Sequence, residues 1–298
     1  MSVEFCGLRL AHPVINGSGT FDAIAALGAF GESLGEAFPF SAYVSKTITL
    51  GPRLGNPPPR LWETPAGMIN SIGLPNKGLA GYLSEDLPEL CGMRGDPACA
   101  ADGQSHPVPL ITNVMGSTSE EIAELLEACQ ERSEIAAIEL NVSCPNVRTG
   151  LDIGADPGQL EAVLRAVRDR TAKPLIVKLT PNAADVPECA LAAQEGGADA
   201  VSLINTLRAM ALAPGSPAGR PWLGGGTGGL SGPAIWPVAL AQVAAVAARV
   251  TIPVVGMGGV QSPADARQLL DVGATLVAVG TASFRDPAAG ARIARGLL

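Results

Sequence analysis

The chain reads as an α/β protein folded into a (β/α)8 TIM barrel, with a short N-terminal hairpin and long βα loops. Three observations carry that reading. Eight short apolar runs alternate with segments of helical period. Most runs are continuous rather than alternating, as expected of parallel strands covered on both faces. Polar or glycine-rich residues recur at the C-terminal ends of these runs, where barrels of this kind carry their chemistry. The rival is a doubly wound sheet, which usually has fewer strands and a G-x-G-x-x-G turn after the first; none occurs there.

Val3-Glu4-Phe5 and Leu8-Arg9-Leu10, joined by Cys6-Gly7, predict a hairpin that closes the barrel bottom. The strands follow at 13–16, 42–46, 110–115, 136–142, 175–179, 200–205, 253–257 and 276–279. Helices are expected at 22–34, 78–87, 184–196 and 237–248. Four more carry start signals. Ser117-Thr118-Ser119-Glu120 opens one that ends near Arg132, and Asp156-Pro157 opens one that ends near Thr171. Ser262-Pro263 opens 264–272, closed by Gly273, and Asp286-Pro287 starts the last. With no linker or shift of composition, residues 1–298 count as one domain.

Composition narrows the class. The chain has 298 residues, 47% hydrophobic and 16% charged, ample for a large core of Ala, Val, Leu and Ile. A net charge of −8 argues against a nucleic-acid surface. No run approaches the roughly eighteen apolar residues of a membrane span, and the N-terminal residues lack signal-peptide character. A cytoplasmic protein without membrane contact is therefore expected. The six cysteines form no CxxC pair or finger spacing, so they read as reduced thiols with no metal site. Cys91 and Cys99 lie in a polar insertion with no evident chemistry.

The strand ends carry the functional signal. Strand one ends in Asn16-Gly17-Ser18-Gly19 and strand two in Ser45-Lys46-Thr47. Asn113, Asn141 and Lys178 lie on strands three, four and five, and strand six ends in Asn205-Thr206. Gly256-Met257-Gly258-Gly259 and Val279-Gly280-Thr281 end strands seven and eight, where bare backbone N–H groups form the usual phosphate site. Lys46 and Lys178 are expected to be buried, each facing an anion or an electron-rich ring, since an unpartnered buried cation is costly. A flavin mononucleotide suits this layout. Cys144 follows the fourth strand, within Asn141-Val142-Ser143-Cys144-Pro145-Asn146. A thiol between asparagines suits proton abstraction or nucleophilic attack, although a free cysteine is more often an inert packing residue. The long loops 47–77, 143–156 and 207–236 exceed simple connections and point to function.

Taken together, these motifs resemble the dihydroorotate dehydrogenases over nearly the whole chain. The resemblance rests on Ser45-Lys46-Thr47, the proline loop Gly55 to Arg60, Gly67-Met68-Ile69-Asn70-Ser71-Ile72-Gly73-Leu74 and the Asn141 to Asn146 motif. It continues through Val177-Lys178-Leu179, Ile204-Asn205-Thr206, Gly228 to Pro233, Gly258-Gly259 and Gly280-Thr281. Cysteine at 144 is similar to class 1. Lys178 to Asn182, Ile204 to Thr206 and Gly229 to Ala234 look most like the class 1B catalytic subunit.

The resemblance implies oxidation of (S)-dihydroorotate to orotate in pyrimidine synthesis. Cys144 as thiolate would take the C5 proton while hydride passes from C6 to FMN. Asn70, Asn141, Asn205 and Thr206 would hold the pyrimidine, with backbone from Ser71, Ile72, Gly73 and Leu74, and Lys46 would touch substrate and flavin. FMN would be held by Ser18, Lys46, Thr47, Asn113, Asn141, Lys178, Ile204, Gly232, Gly258, Gly259, Gly280 and Thr281. The implied assembly is a homodimer joined by a subunit carrying FAD and a [2Fe–2S] cluster, a heterotetramer that passes electrons to NAD⁺. An ordinary thiol pKa of about 8.5 predicts activity rising on the alkaline side. Two features depart from the pattern: segment 91–106 is longer than the usual connection, and the chain stops soon after the eighth helix. Competing readings are an FMN enzyme of the dihydropyrimidine dehydrogenase type and a flavin-free phosphosugar isomerase or synthase barrel. The acidic charge disfavours a tRNA dihydrouridine synthase.

Overall fold

The computed structural model describes residues 2–31, 34, 37–142, 153–215 and 219–298. The hairpin forms as β1 (Val3–Phe5) and β2 (Leu8–Leu10), paired antiparallel. The barrel strands are β3 (Val14–Asn16), β4 (Tyr43–Val44), β7 (Leu110–Val114), β8 (Ile135–Asn141), β9 (Leu175–Lys178), β10 (Ala200–Leu203), β13 (Val254–Met257) and β14 (Leu276–Val279). They pair in parallel in the order β3-β14-β13-β10-β9-β8-β7-β4. The second strand is shorter than its 42–46 prediction.

The seam between β3 and β4 is closed by a side chain. Asn16 Oδ1 accepts from the Val44 N–H at 2.8 Å, and its Nδ2 donates to the Val44 carbonyl at 2.8 Å. One carboxamide thus replaces a peptide rung. Lower on the seam, the Ser41 N–H donates to the Val14 carbonyl at 3.0 Å.

Alternation along each strand divides the side chains between two cores. Ile15, Val44, Ile111, Ala137, Ile176, Val255 and Leu276 fill the barrel interior, and Phe5 and Leu10 of the hairpin join that cluster. The opposite faces pack on the surrounding helices through residues such as Leu110, Leu140, Val177, Val201 and Val277. Side-chain caps start the helices Ser119–Gln130, Pro157–Val167 and Val186–Glu195, from Thr118, Asp156 and Asp185. Ser262 and Asp265 form a reciprocal capping box on Pro263–Asp271. The last helix begins at Ala289 and not at Asp286-Pro287. Asp286 instead accepts from the Ala288 N–H, which makes a turn after the short helix Ala282–Arg285.

The largest departure lies in two supposed loops. β5 (Leu61–Thr64) and β6 (Gly67–Asn70) from the first join β11 (Leu207–Ala209) and β12 (Gly228–Ser231) from the third, in an antiparallel sheet of order β11-β12-β6-β5. The first loop then leads into the helical run 78–90, which contains a π turn at Tyr82–Asp86. Insertion 91–106 folds back with a 3-10 turn, Pro97–Cys99, and buried Cys99 lies against the Ala291 carbonyl.

Candidate active site

A cavity of about 690 Å³ opens at the C-terminal ends of the barrel strands. That volume suits a cofactor together with a small substrate. Its floor comes from the barrel strands and one wall from the four-stranded sheet. Ser18, Lys46, Thr47, Asn70, Ile72, Gly73, Leu74, Asn141, Lys178, Ile204, Asn205, Thr206, Gly232, Gly258, Gly259, Gly280 and Thr281 all line it. Two further sequence-derived residues lie just behind the surface. Ser71 is buried, its hydroxyl 3.0 Å from Asn56 Nδ2, and Asn113 is fully buried within the barrel. Cys144 lies outside the described residues.

Lys178 stands at the end of β9, only 6% exposed, and among the described residues it has no ion pair or hydrogen bond. Lys46 corrects the expectation that both lysines are buried. It lies beyond the end of β4, is exposed and lines the cavity, so its ammonium keeps its water. Between them runs a polar chain. Asn141 Nδ2 donates to Thr47 Oγ1 at 3.4 Å, Thr47 Oγ1 lies 3.4 Å from Ser18 Oγ, and Ser18 Oγ donates to the Ser45 carbonyl at 2.8 Å.

The glycines at strand seven have a conformational cause as well. Gly258 and Gly259 take φ of 125° and 81°. A Cβ at Gly258 would press on Ala239 and Ile204, and one at Gly259 on Trp236. Beside Gly280 and Thr281, Ser283 lines the cavity, and its buried hydroxyl has no partner among the described residues.

Several supporting residues escaped the sequence reading. Asn182 Nδ2 donates to the Thr206 carbonyl at 3.1 Å and its Oδ1 accepts from the Arg208 N–H at 2.9 Å, which braces the strand-six loop. A Cβ at Gly229 would overlap the Thr206 hydroxyl. Glu139, buried inside the barrel, accepts from Asn113 Nδ2 at 2.5 Å and from Ser202 Oγ at 2.6 Å. An acidic residue within an otherwise apolar strand was the available signal.

The residues present fit a flavin mononucleotide. Lys178, a buried cation, and the Ser283 hydroxyl, both without a partner among the described residues, suit an anionic, oxygen-rich group. The buried Asn113 Oδ1, which has no donor among the described residues, suits a ring N–H. Fold and site together define a (β/α)8 barrel whose strand-end cavity suits a flavin nucleotide.

Comparison with known proteins narrows that class. The family model described as dihydroorotate dehydrogenase matches residues 1–298. A relative from Geotalea uraniireducens (strain Rf4), named dihydroorotate dehydrogenase B (NAD(+)), catalytic subunit, is 43% identical over 100% of this chain and 92% of its own. Relatives of the same name from Trichlorobacter lovleyi and Geobacter sulfurreducens are 44% and 43% identical, covering 100% and 99% of this chain and 92% and 90% of theirs. The chain belongs to the dihydroorotate dehydrogenase family.

Proposed function

We propose that this chain is the catalytic subunit of an FMN-dependent dihydroorotate dehydrogenase of the NAD⁺-linked type, acting in pyrimidine synthesis. Beyond family membership, the observation that carries this reading is Lys178, a buried cation without a partner among the described residues, in a cavity ringed by strand-end amides. FMN, when bound, supplies the acceptor for the hydride that leaves C6 of dihydroorotate.

The chain's own residues do the rest. Asn70, Asn141, Asn205 and Thr206 offer both donors and acceptors, as a ring of alternating N–H and C=O groups requires. Backbone from Ser71 to Leu74 closes one side of the ring, held in place by Asn56, whose amide donates to the Ser71 hydroxyl. Lys46, at the cavity wall, reaches substrate and cofactor. Gly258, Gly259, Gly280 and Thr281 receive the phosphate, with Ser18, Thr47, Asn113, Ile204 and Gly232 along the rest of the cofactor. Cys144, on the connection after β8, takes the C5 proton as a thiolate; it moves a proton and forms no covalent bond.

We further assign the chain to a homodimer that docks a subunit carrying FAD and a [2Fe–2S] cluster, a heterotetramer in all. In support, exposed apolar side chains (Phe30, Leu61, Phe284) rim the cavity mouth. Among the described residues, no helix is long and apolar enough to cross a membrane.

The test is oxidation of dihydroorotate by the purified chain with an artificial dye, NAD⁺ or fumarate as acceptor. Dye activity without NAD⁺ activity is the expected result and calls for the second subunit. Direct fumarate reduction would reject the NAD⁺-linked assignment, and preference for dihydrouracil would reject the substrate.

A further inference from the structure

The barrel interior holds a polar cluster in which Glu139 on β8 and Ser202 on β10, neither given a role above, join Asn113 on β7. All three are buried, Glu139 being only 4% exposed. Asn113 shares the inward face of β7 with Ile111, one row beneath Asn141 and Lys178 on the cavity floor. Its backbone is fully committed, the N–H to Ser45 Oγ at 3.0 Å and the carbonyl to the Ile48 N–H at 3.0 Å.

The amide has only one consistent orientation. The Asn113 NH₂ faces Glu139 and donates to its Oε2, since a carboxylate oxygen accepts. The second Glu139 oxygen is held by Ser202 Oγ, which keeps the carboxylate from rotating away. The Asn113 carbonyl oxygen is therefore left buried, with no donor among the described residues. Leaving such a group unmatched is unfavourable, so a donor from a bound molecule is the natural complement. β7 and β8 lie across the barrel from the β13 and β14 glycines. A ligand whose phosphate sits at those glycines turns its far end, not its phosphate, toward the β7 side of the cavity, where Asn113 lies just behind the surface. An oxidised isoalloxazine ring has a single N–H donor, at N3.

We propose that Glu139 is a positioning residue that fixes the Asn113 amide with its oxygen toward the cofactor, where it accepts the N3–H of the flavin ring. The inference rests on the flavin reading of the cavity and adds the orienting role of Glu139. Any ring with a donor at the matching place would be admitted, and one with a bulky group there refused.

The test compares FMN with 3-methyl-FMN, which lacks that donor, as ligands of the full chain stripped of flavin, by fluorescence quenching. The wild type should prefer FMN by about tenfold, one hydrogen bond's worth. Asn113→Ala should bind both within twofold or so, because the acceptor is gone. Glu139→Met should show the same loss of preference although Asn113 remains. If that variant does not fold, Glu139→Gln serves, since it offers Asn113 a donor as well as an acceptor and removes the enforced orientation. Equal binding by the wild type, or an undiminished preference in the folded Glu139 variant, overturns the proposal alone. Failure of the wild type to bind either flavin overturns the cofactor reading together with it.

Discussion

The side-chain rung at the barrel seam gives a quantitative prediction. Asn16→Leu keeps the forked shape of the carboxamide and removes both of its hydrogen bonds to Val44, leaving the Val44 N–H and carbonyl buried without partners. Each stranded group is unfavourable by about 1–3 kcal/mol, so the loss should be about 4 kcal/mol. For a chain of this length that is a fall in Tm of roughly 6 °C. Ser41 still ties β4 to Val14, so the seam should open at its upper end, where Ser18 and Lys46 line the cavity. Flavin affinity should fall with stability. Asn16→Asp is the sharper control: it keeps an acceptor for the Val44 N–H but sets an oxygen against the Val44 carbonyl, and should stabilise no better than leucine. Urea unfolding of the flavin-free protein reads both. A loss below about 1 kcal/mol for Asn16→Leu would refute the argument, because other groups would then be replacing the rung.

Three further outcomes are expected. Burial lowers the His12 pKa to about 4, and its Nδ1 accepts from the Val14 N–H. The unfolded chain takes up this proton from pH 6.5 downward while the folded chain does so only near 4, so stability should fall across that window, by about 3 kcal/mol in all. Urea midpoints at pH 7, 6 and 5 measure it, and His12→Gln should flatten the slope. Gly229→Ala should push the Thr206 hydroxyl out of place and lower kcat/KM for dihydroorotate about 10²-fold, while FMN titrates into the protein as before. Cys144→Ser should cut turnover at pH 7 by about 10²-fold or more with flavin retained; an unchanged rate would remove Cys144 from the base role.

The barrel strands were legible because each is buried on both faces, and such strands leave continuous apolar runs with a polar residue where they surface. The run at 276–279 and strand β14 coincide. The four-stranded sheet left no comparable trace. β12 is Gly-Gly-Leu-Ser and β6 begins at Gly67, so composition speaks for a loop, and their pairing is set by contact across the fold. Asn16 read as one more strand-end amide, since sequence does not distinguish an amide that bonds a neighbouring strand from one that faces the cavity. Glu139 was passed over inside an apolar run, although burying a carboxylate there demands partners. Lys46 went the other way: its strand ended two residues early, leaving the ammonium in water.

The antiparallel sheet has a consequence for biosynthesis. Asn70 and Gly229, joined across β6 and β12, are 159 positions apart. As the chain leaves the ribosome, the β5–β6 hairpin emerges long before its partner strand, and closing so wide a loop is slow. Ile72, Gly73 and Leu74 of the cavity wall directly follow that hairpin. The nascent barrel can thus assemble several of its strands while this wall still lacks its support. Competence to hold a substrate arrives late in synthesis, after Gly228 to Ser231 have emerged.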